Sequence, residues 1–87
     1  MSNDLQTLRK KIDSIDEKLL ELIGDRIKLM EEIGKIKKQL QLPVHDPSRE
    51  KEKIEIINLQ AKKSGIPAEL VNKIWKDFFE ISDEVQK

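Results

Sequence analysis

Starting at Leu5, residues spaced alternately three and four apart read Leu5, Leu8, Ile12, Ile15, Leu19, Leu22, Arg26, Leu29, Ile33, Ile36 and Leu40. A repeat of this kind describes a helix that buries one stripe against a partner helix. At 1.5 Å per residue it predicts a rod on the order of 50 Å long, more than the core of an 87-residue monomer can cover. Ten of the eleven stripe positions are aliphatic, and the eleventh, Arg26, carries a permanent charge. Arginine presents a planar fork that grips carboxylate or phosphate, whereas lysine is the commoner solubilising cation. The chain has only three arginines against fourteen lysines, so Arg26 reads as a residue placed for a task. A polar stripe residue also serves simply to set register or oligomeric state, and Arg26 alone leaves that alternative open.

Composition narrows the class. High Lys, Glu and Leu content, three glycines and three aromatic side chains suit long helices and disfavour a sheet. One small domain over residues 1–87 is expected, and pairing with a second copy is the natural way to bury enough apolar surface. The formal net charge is zero, without the basic excess that attracts nucleic acid or a membrane surface. No apolar run approaches the roughly 20 residues that cross a bilayer, and Met1-Ser2-Asn3-Asp4 lacks the basic and apolar parts of a secretion signal, so a cytoplasmic location is expected. There is no cysteine and one histidine, His45, which predicts chemistry without metal or cofactor.

The first helix is expected to start at Asn3 or Asp4 and to persist to about Leu40, where Gln41-Leu42-Pro43-Val44-His45 breaks the period. Asp46-Pro47 offers a capping acceptor followed by proline at the first helical position, which opens a second helix running to about Lys63. Its inward face carries Ile54, Ile57 and Ala61, and Ser64-Gly65 ends it with a residue tolerant of positive φ. Pro67 opens a third helix whose stripe of Leu70, Val71, Ile74, Trp75, Phe78 and Phe79 leads on to Ser82 and Gln86. The aromatic residues read as core, and His45 reads as an exposed loop residue without a role.

Several polar residues accompany these apolar faces. Arg26 and Lys37 are three turns apart and point the same way, with Cα atoms ~16 Å apart, so together they can clasp one small anion. Arg9 lies about 42 Å from Lys37 along a straight helix and cannot join that clasp within its own chain. If two first helices pair antiparallel about a point near Leu20, Arg9 of one copy falls opposite the interval between Arg26 and Lys37 of the other, and symmetry makes two such sites. Glu50 occupies the inward stripe of the second helix, with Arg49 beside it. Each residue taken singly also has a plain reading: Lys37 as a solvated lysine, Glu50 as the partner of a lysine, Ser82 and Gln86 as a fraying end.

The ordered set is more specific than its members. Leu8-Arg9-Lys10-Lys11-Ile12-Asp13, Ile15-Asp16-Glu17-Lys18-Leu19-Leu20, Arg26, Ile33-Gly34-Lys35-Ile36-Lys37, Val44-His45-Asp46-Pro47-Ser48-Arg49-Glu50, Ser82 and Gln86 together resemble the all-helical chorismate mutase family across essentially the whole chain. The resemblance implies an intertwined antiparallel homodimer of three-helix chains, one helix long and two shorter, that converts chorismate to prephenate as a monofunctional cytoplasmic enzyme. It implies that Arg9 reaches a substrate carboxylate from the partner chain and that Arg26 binds the other carboxylate side from its own. Lys37 would bind a carboxylate and the ether oxygen, Gln86 would donate to that oxygen, and Ser82 would contact the ring carboxylate. Glu50 would hold the ring hydroxyl, with the Asp46 backbone nearby and Arg49 in support. Two milder departures accompany the match: the chain stops one residue after Gln86, which invites fraying, and Gly24 loosens the long helix. Two other functions fit the same residues less well. An isochorismate pyruvate lyase would have less use for Glu50, and a non-catalytic helical dimer would have no use for the full polar set.

Overall fold

The computed structural model describes residues 2–87; Met1, the first residue of the expected domain, lies outside the described residues. Three helices follow in order: α1 (Ser2–Leu40), α2 (Pro47–Lys63) and α3 (Ala68–Gln86). No strand occurs among the described residues, and no helix is long and apolar enough to cross a membrane. The chain measures 59 × 25 × 15 Å because α1 extends far beyond the other two helices. α3 packs on both α1 and α2.

Local chemistry accounts for nearly every boundary. Helix α1 begins one residue before the expected Asn3 or Asp4 start: Asn3 is already helical, and its carbonyl accepts a 2.7 Å hydrogen bond from Thr7 Oγ1. At the other end Gln41 takes a left-handed conformation, φ 56°, while Leu42 N–H donates to Lys37 O at 2.8 Å and Gln41 N–H to Lys38 O at 3.2 Å. This pair of reversed bonds satisfies carbonyls that the helix end would leave unpaired. Helix α2 ends in the same way, with Gly65 at φ 69°, Ile66 N–H on Ala61 O at 2.9 Å and Gly65 N–H on Lys62 O at 3.3 Å. At its start Asp46 accepts from Arg49 N–H at 3.1 Å, with Pro47 following, as the sequence predicts.

The core is small. Ile57, Ala61 and Val71 are buried, with Trp75 packed against them and set edge-on to Phe78 at 5.3 Å between ring centroids. By contrast the α1 stripe lies open: Leu5, Leu8, Ile12, Ile15, Leu19, Leu22, Leu29, Ile33, Ile36 and Leu40 are all exposed within the single chain. Gly24 leaves α1 continuous.

Candidate active site

The reversal after α1 does more than end a helix. It returns the chain so that Val44 O lies 2.7 Å from Lys37 Nζ, and it sets Asp46 to start α2, which carries Arg49 and Glu50 in its first turn. On the opposite wall α3 brings Ser82 and Gln86 one turn apart. A cavity of about 230 Å³ forms between these elements, lined by seven of the eight residues singled out from sequence: Arg26, Lys37, Asp46, Arg49, Glu50, Ser82 and Gln86. Arg9 is exposed on α1 and does not line it. The cavity is of a size for one small, compact organic ion.

Three hydrogen-bonded pairs link α1 to α3. Lys37 Nζ donates to Gln86 Oε1 at 2.6 Å as well as to Val44 O, which leaves one of its three protons for a ligand. Because the ammonium takes the amide oxygen, the Gln86 NH₂ must turn the other way; its Nε2 rests 3.5 Å from Met30 Sδ, a weak acceptor. Gln86 is only 6% exposed. Arg26 Nη1 donates to Ser82 Oγ at 2.8 Å, and the guanidinium stands 5.0 Å from the centre of the Phe78 ring. Partial burial pulls the Arg26 pKa below its ordinary value, yet a guanidinium stays charged at any physiological pH. Ser82 is buried and already donates to Phe78 O at 2.7 Å. Its hydroxyl therefore accepts from Arg26 and holds that side chain in place; touching a ligand would require it to release Phe78.

A polar cluster ties the loop after α1 to α2 and α3 through two of the cavity-lining residues, Glu50 and Asp83. His45 Nδ1 lies 2.9 Å from Asp83 Oδ2 and 3.2 Å from Glu50 Oε2. The hydrogen bond to Asp83 raises the His45 pKa; some desolvation opposes this, and the charges of Glu50, Asp83 and Asp46 add to it. His45 is exposed, as the sequence reading has it, and it also contacts Glu50 and Asp83, where that reading gave it no role. Likewise, a single histidine does sit in a grouping able to hold a metal ion, since His45, Glu50 and Asp83 offer ligand atoms within 4.8 Å of one another. Both carboxylates face the one Nδ1 of His45, and the contacts are ion pairs when His45 is protonated.

Sequence reasoning missed Met30, Val44, Lys53, Phe79 and Asp83 in the cavity wall. Gly34, which stands in the Ile33–Lys37 motif but was given no role, is buried where α1 meets the end of α3. Met30 falls four residues after Arg26 and four before Gly34, and that helical spacing is the signal that could have marked it.

The chain matches the family described as chorismate mutase type II over residues 8–87. It is 37% identical to a chorismate mutase from Methanocaldococcus jannaschii over 87 residues, covering 100% of this chain and 88% of that protein. It is 38% identical to the T-protein of Haemophilus influenzae over 74 residues, which is 85% of this chain but only 20% of the relative. A bifunctional chorismate mutase/prephenate dehydratase from Aquifex aeolicus is 37% identical, and the match spans 24% of its length. A solved conserved hypothetical protein from Pyrococcus furiosus superposes with a TM-score of 0.76 at 35% identity, with 95% of each chain covered. On the match across 8–87 and these relatives, the chain belongs to the chorismate mutase type II family.

Proposed function

We propose that the protein is a homodimeric chorismate mutase that rearranges chorismate to prephenate, a step toward phenylalanine and tyrosine. The observation that carries this reading is the Lys37–Gln86 pair, 2.6 Å apart, facing a cavity that Arg26 also lines. Chorismate is a flexible dianion. Its ether C–O bond breaks as a new C–C bond forms within the same molecule, and no proton, electron or external group is transferred. Catalysis then needs two things: a grip that folds the molecule so that the reacting carbons approach, and a donor where negative charge grows on the ether oxygen.

Arg26 meets the first need by binding a carboxylate about equally in ground and transition states, which restricts conformation. Lys37 and Gln86 meet the second. The free Lys37 proton and the Gln86 NH₂ both point away from their mutual hydrogen bond, and their attraction to the ether oxygen strengthens as the bond breaks. Gln86 gives up only a weak sulfur acceptor to do so. Since Gln86 is neutral, its donation survives across neutral and mildly basic pH. Glu50 holds the ring hydroxyl, Ser82 steadies Arg26 near the ring carboxylate, and Arg49 with the Asp46 backbone closes the α2 side.

The second carboxylate needs a further cation, and Arg9 supplies it from the partner subunit. The exposed aliphatic stripe of α1 supports this pairing, because the three-residue core of the single chain is far too small to stabilise a rod of this length. Mixing the purified protein with chorismate and following its ultraviolet absorbance tests the reading: loss of chorismate with appearance of prephenate supports it. Release of pyruvate from isochorismate, with chorismate untouched, would overturn it in favour of a lyase.

A further inference from the structure

Gly34 is buried on α1 one turn before Lys37. A Cβ built there would lie 2.8 Å from Gln86 Cα, 2.9 Å from Gln86 O and 3.2 Å from Gln86 Cβ. Two of these atoms are backbone, so no side chain can swing aside to make room; α3 itself would have to move. The backbone of Gly34 is ordinary right-handed helix with no positive φ, hence conformation does not require glycine at this position. A mid-helix glycine carries a propensity penalty, which is incurred here without any gain in backbone freedom. Gly24 provides the contrast: it lies in the same helix, and an added Cβ there would meet nothing within 4 Å.

Resting on the mutase reading, we propose that Gly34 is a positioning residue for the rearrangement, whose missing side chain seats the last turn of α3 on α1 and so brings the Gln86 amide onto Lys37. Met30, one turn earlier, completes the seat, its sulfur engaging Gln86 Nε2 on the side away from Lys37. Relieving a 2.8 Å contact to an ordinary carbon–carbon separation moves Gln86 by roughly 0.7 Å. A shift of that size along the bond lengthens the 2.6 Å contact from Lys37 to roughly 3.3 Å, the weak edge of hydrogen-bond range. The donors are then displaced from the ether oxygen, while Arg26, held one turn back by Ser82, is displaced less.

The test combines kinetics with nuclear magnetic resonance on the full chain. For Gly34→Ala, kcat is expected to fall about tenfold or more, while KM changes little. Gly24→Ala should leave kcat unchanged. In a Gln86→Ala background Gly34→Ala should cost almost nothing further, because the residue it acts through is gone. Wild-type kcat in Gly34→Ala, or losses that multiply in the double variant, would overturn the proposal. A structural readout stands apart from activity: in the unmodified protein a nuclear Overhauser contact between the Hα protons of Gly34 and Gln86 is expected, and its absence would overturn the seat even if Gly34→Ala failed to fold. A wild-type protein that shows this contact but leaves chorismate unchanged would refute the mutase reading and leave the seating of Gln86 standing.

Discussion

The two halves of α1 answer to different partners. From Asn3 to Leu22 every residue is exposed, including six aliphatic stripe positions and Arg9. From Arg26 onward the helix carries two adjacent stripes: Leu29, Ile33, Ile36 and Leu40 continue the exposed aliphatic one, while Met30, Gly34 and Lys37 meet α3 beside it. One chain thus completes the polar wall of a cavity and leaves the hydrophobic stripe of the same helix unmatched. Fold and site are finished by different events: the Lys37–Gln86 wall closes within the chain, and the aliphatic stripe, under the dimer proposal, brings Arg9 to it from outside.

The strongest challenge to that division is complementation. Arg9→Ala and Lys37→Ala should each lose about two to three decades in turnover. Mixed and allowed to exchange, the two variants should recover about one quarter of wild-type activity, since half of the dimers are mixed and each mixed dimer has one intact site. No recovery despite exchange verified by mass spectrometry would mean that Arg9 serves its own chain. Next in size, Arg26→Leu fills the gap in the stripe and should cost at least ~10² in kcat/KM with no loss of thermal stability. A lowered melting temperature would show that the Arg26–Ser82–Phe78 contacts hold the fold together as well as the ligand.

Smaller effects probe the ends of the elements. Gln41→Gly should raise stability by about 1 kcal/mol in denaturant melts without touching kcat, because glycine adopts the left-handed conformation at no steric cost. Smallest is the pH response of the loop. The His45 pKa is raised in the folded state, so its contribution to stability is fully present below the unfolded histidine pKa and is lost as pH rises through the higher folded value. A proton resonance titration of His45 should give a midpoint above that of an unfolded control, and Asp83→Asn should lower it.

Much of this was legible because it is local or periodic. The stripe from Leu5 to Leu40, the Asp46-Pro47 start, the Gly65 stop and the inward face of Ile57 and Ala61 all follow from spacings within one element. The seven cavity residues were marked by their order along the chain, and the geometry unites them. What stayed hidden depends on distant encounters. Gly34 stands in the Ile33–Lys37 motif and Gly24 does not, but the reason for a glycine there shows only when the end of α3 settles on it. His45 meets Asp83 across 38 residues, and Gln41 ends α1 in a conformation more often given to glycine, so composition offered no warning of either.

The way Arg26 and Lys37 are held has a consequence for how the protein would respond to its surroundings. Their partners are a serine hydroxyl, a main-chain carbonyl and an amide oxygen, all neutral, and the carboxylates of Glu50 and Asp83 are drawn off toward His45. Two positive charges are therefore oriented without being neutralised, and they project an attractive field toward approaching anions. Added electrolyte should blunt that field, raising KM while leaving kcat nearly constant. Ionic strength then separates the capture of the dianion from its rearrangement.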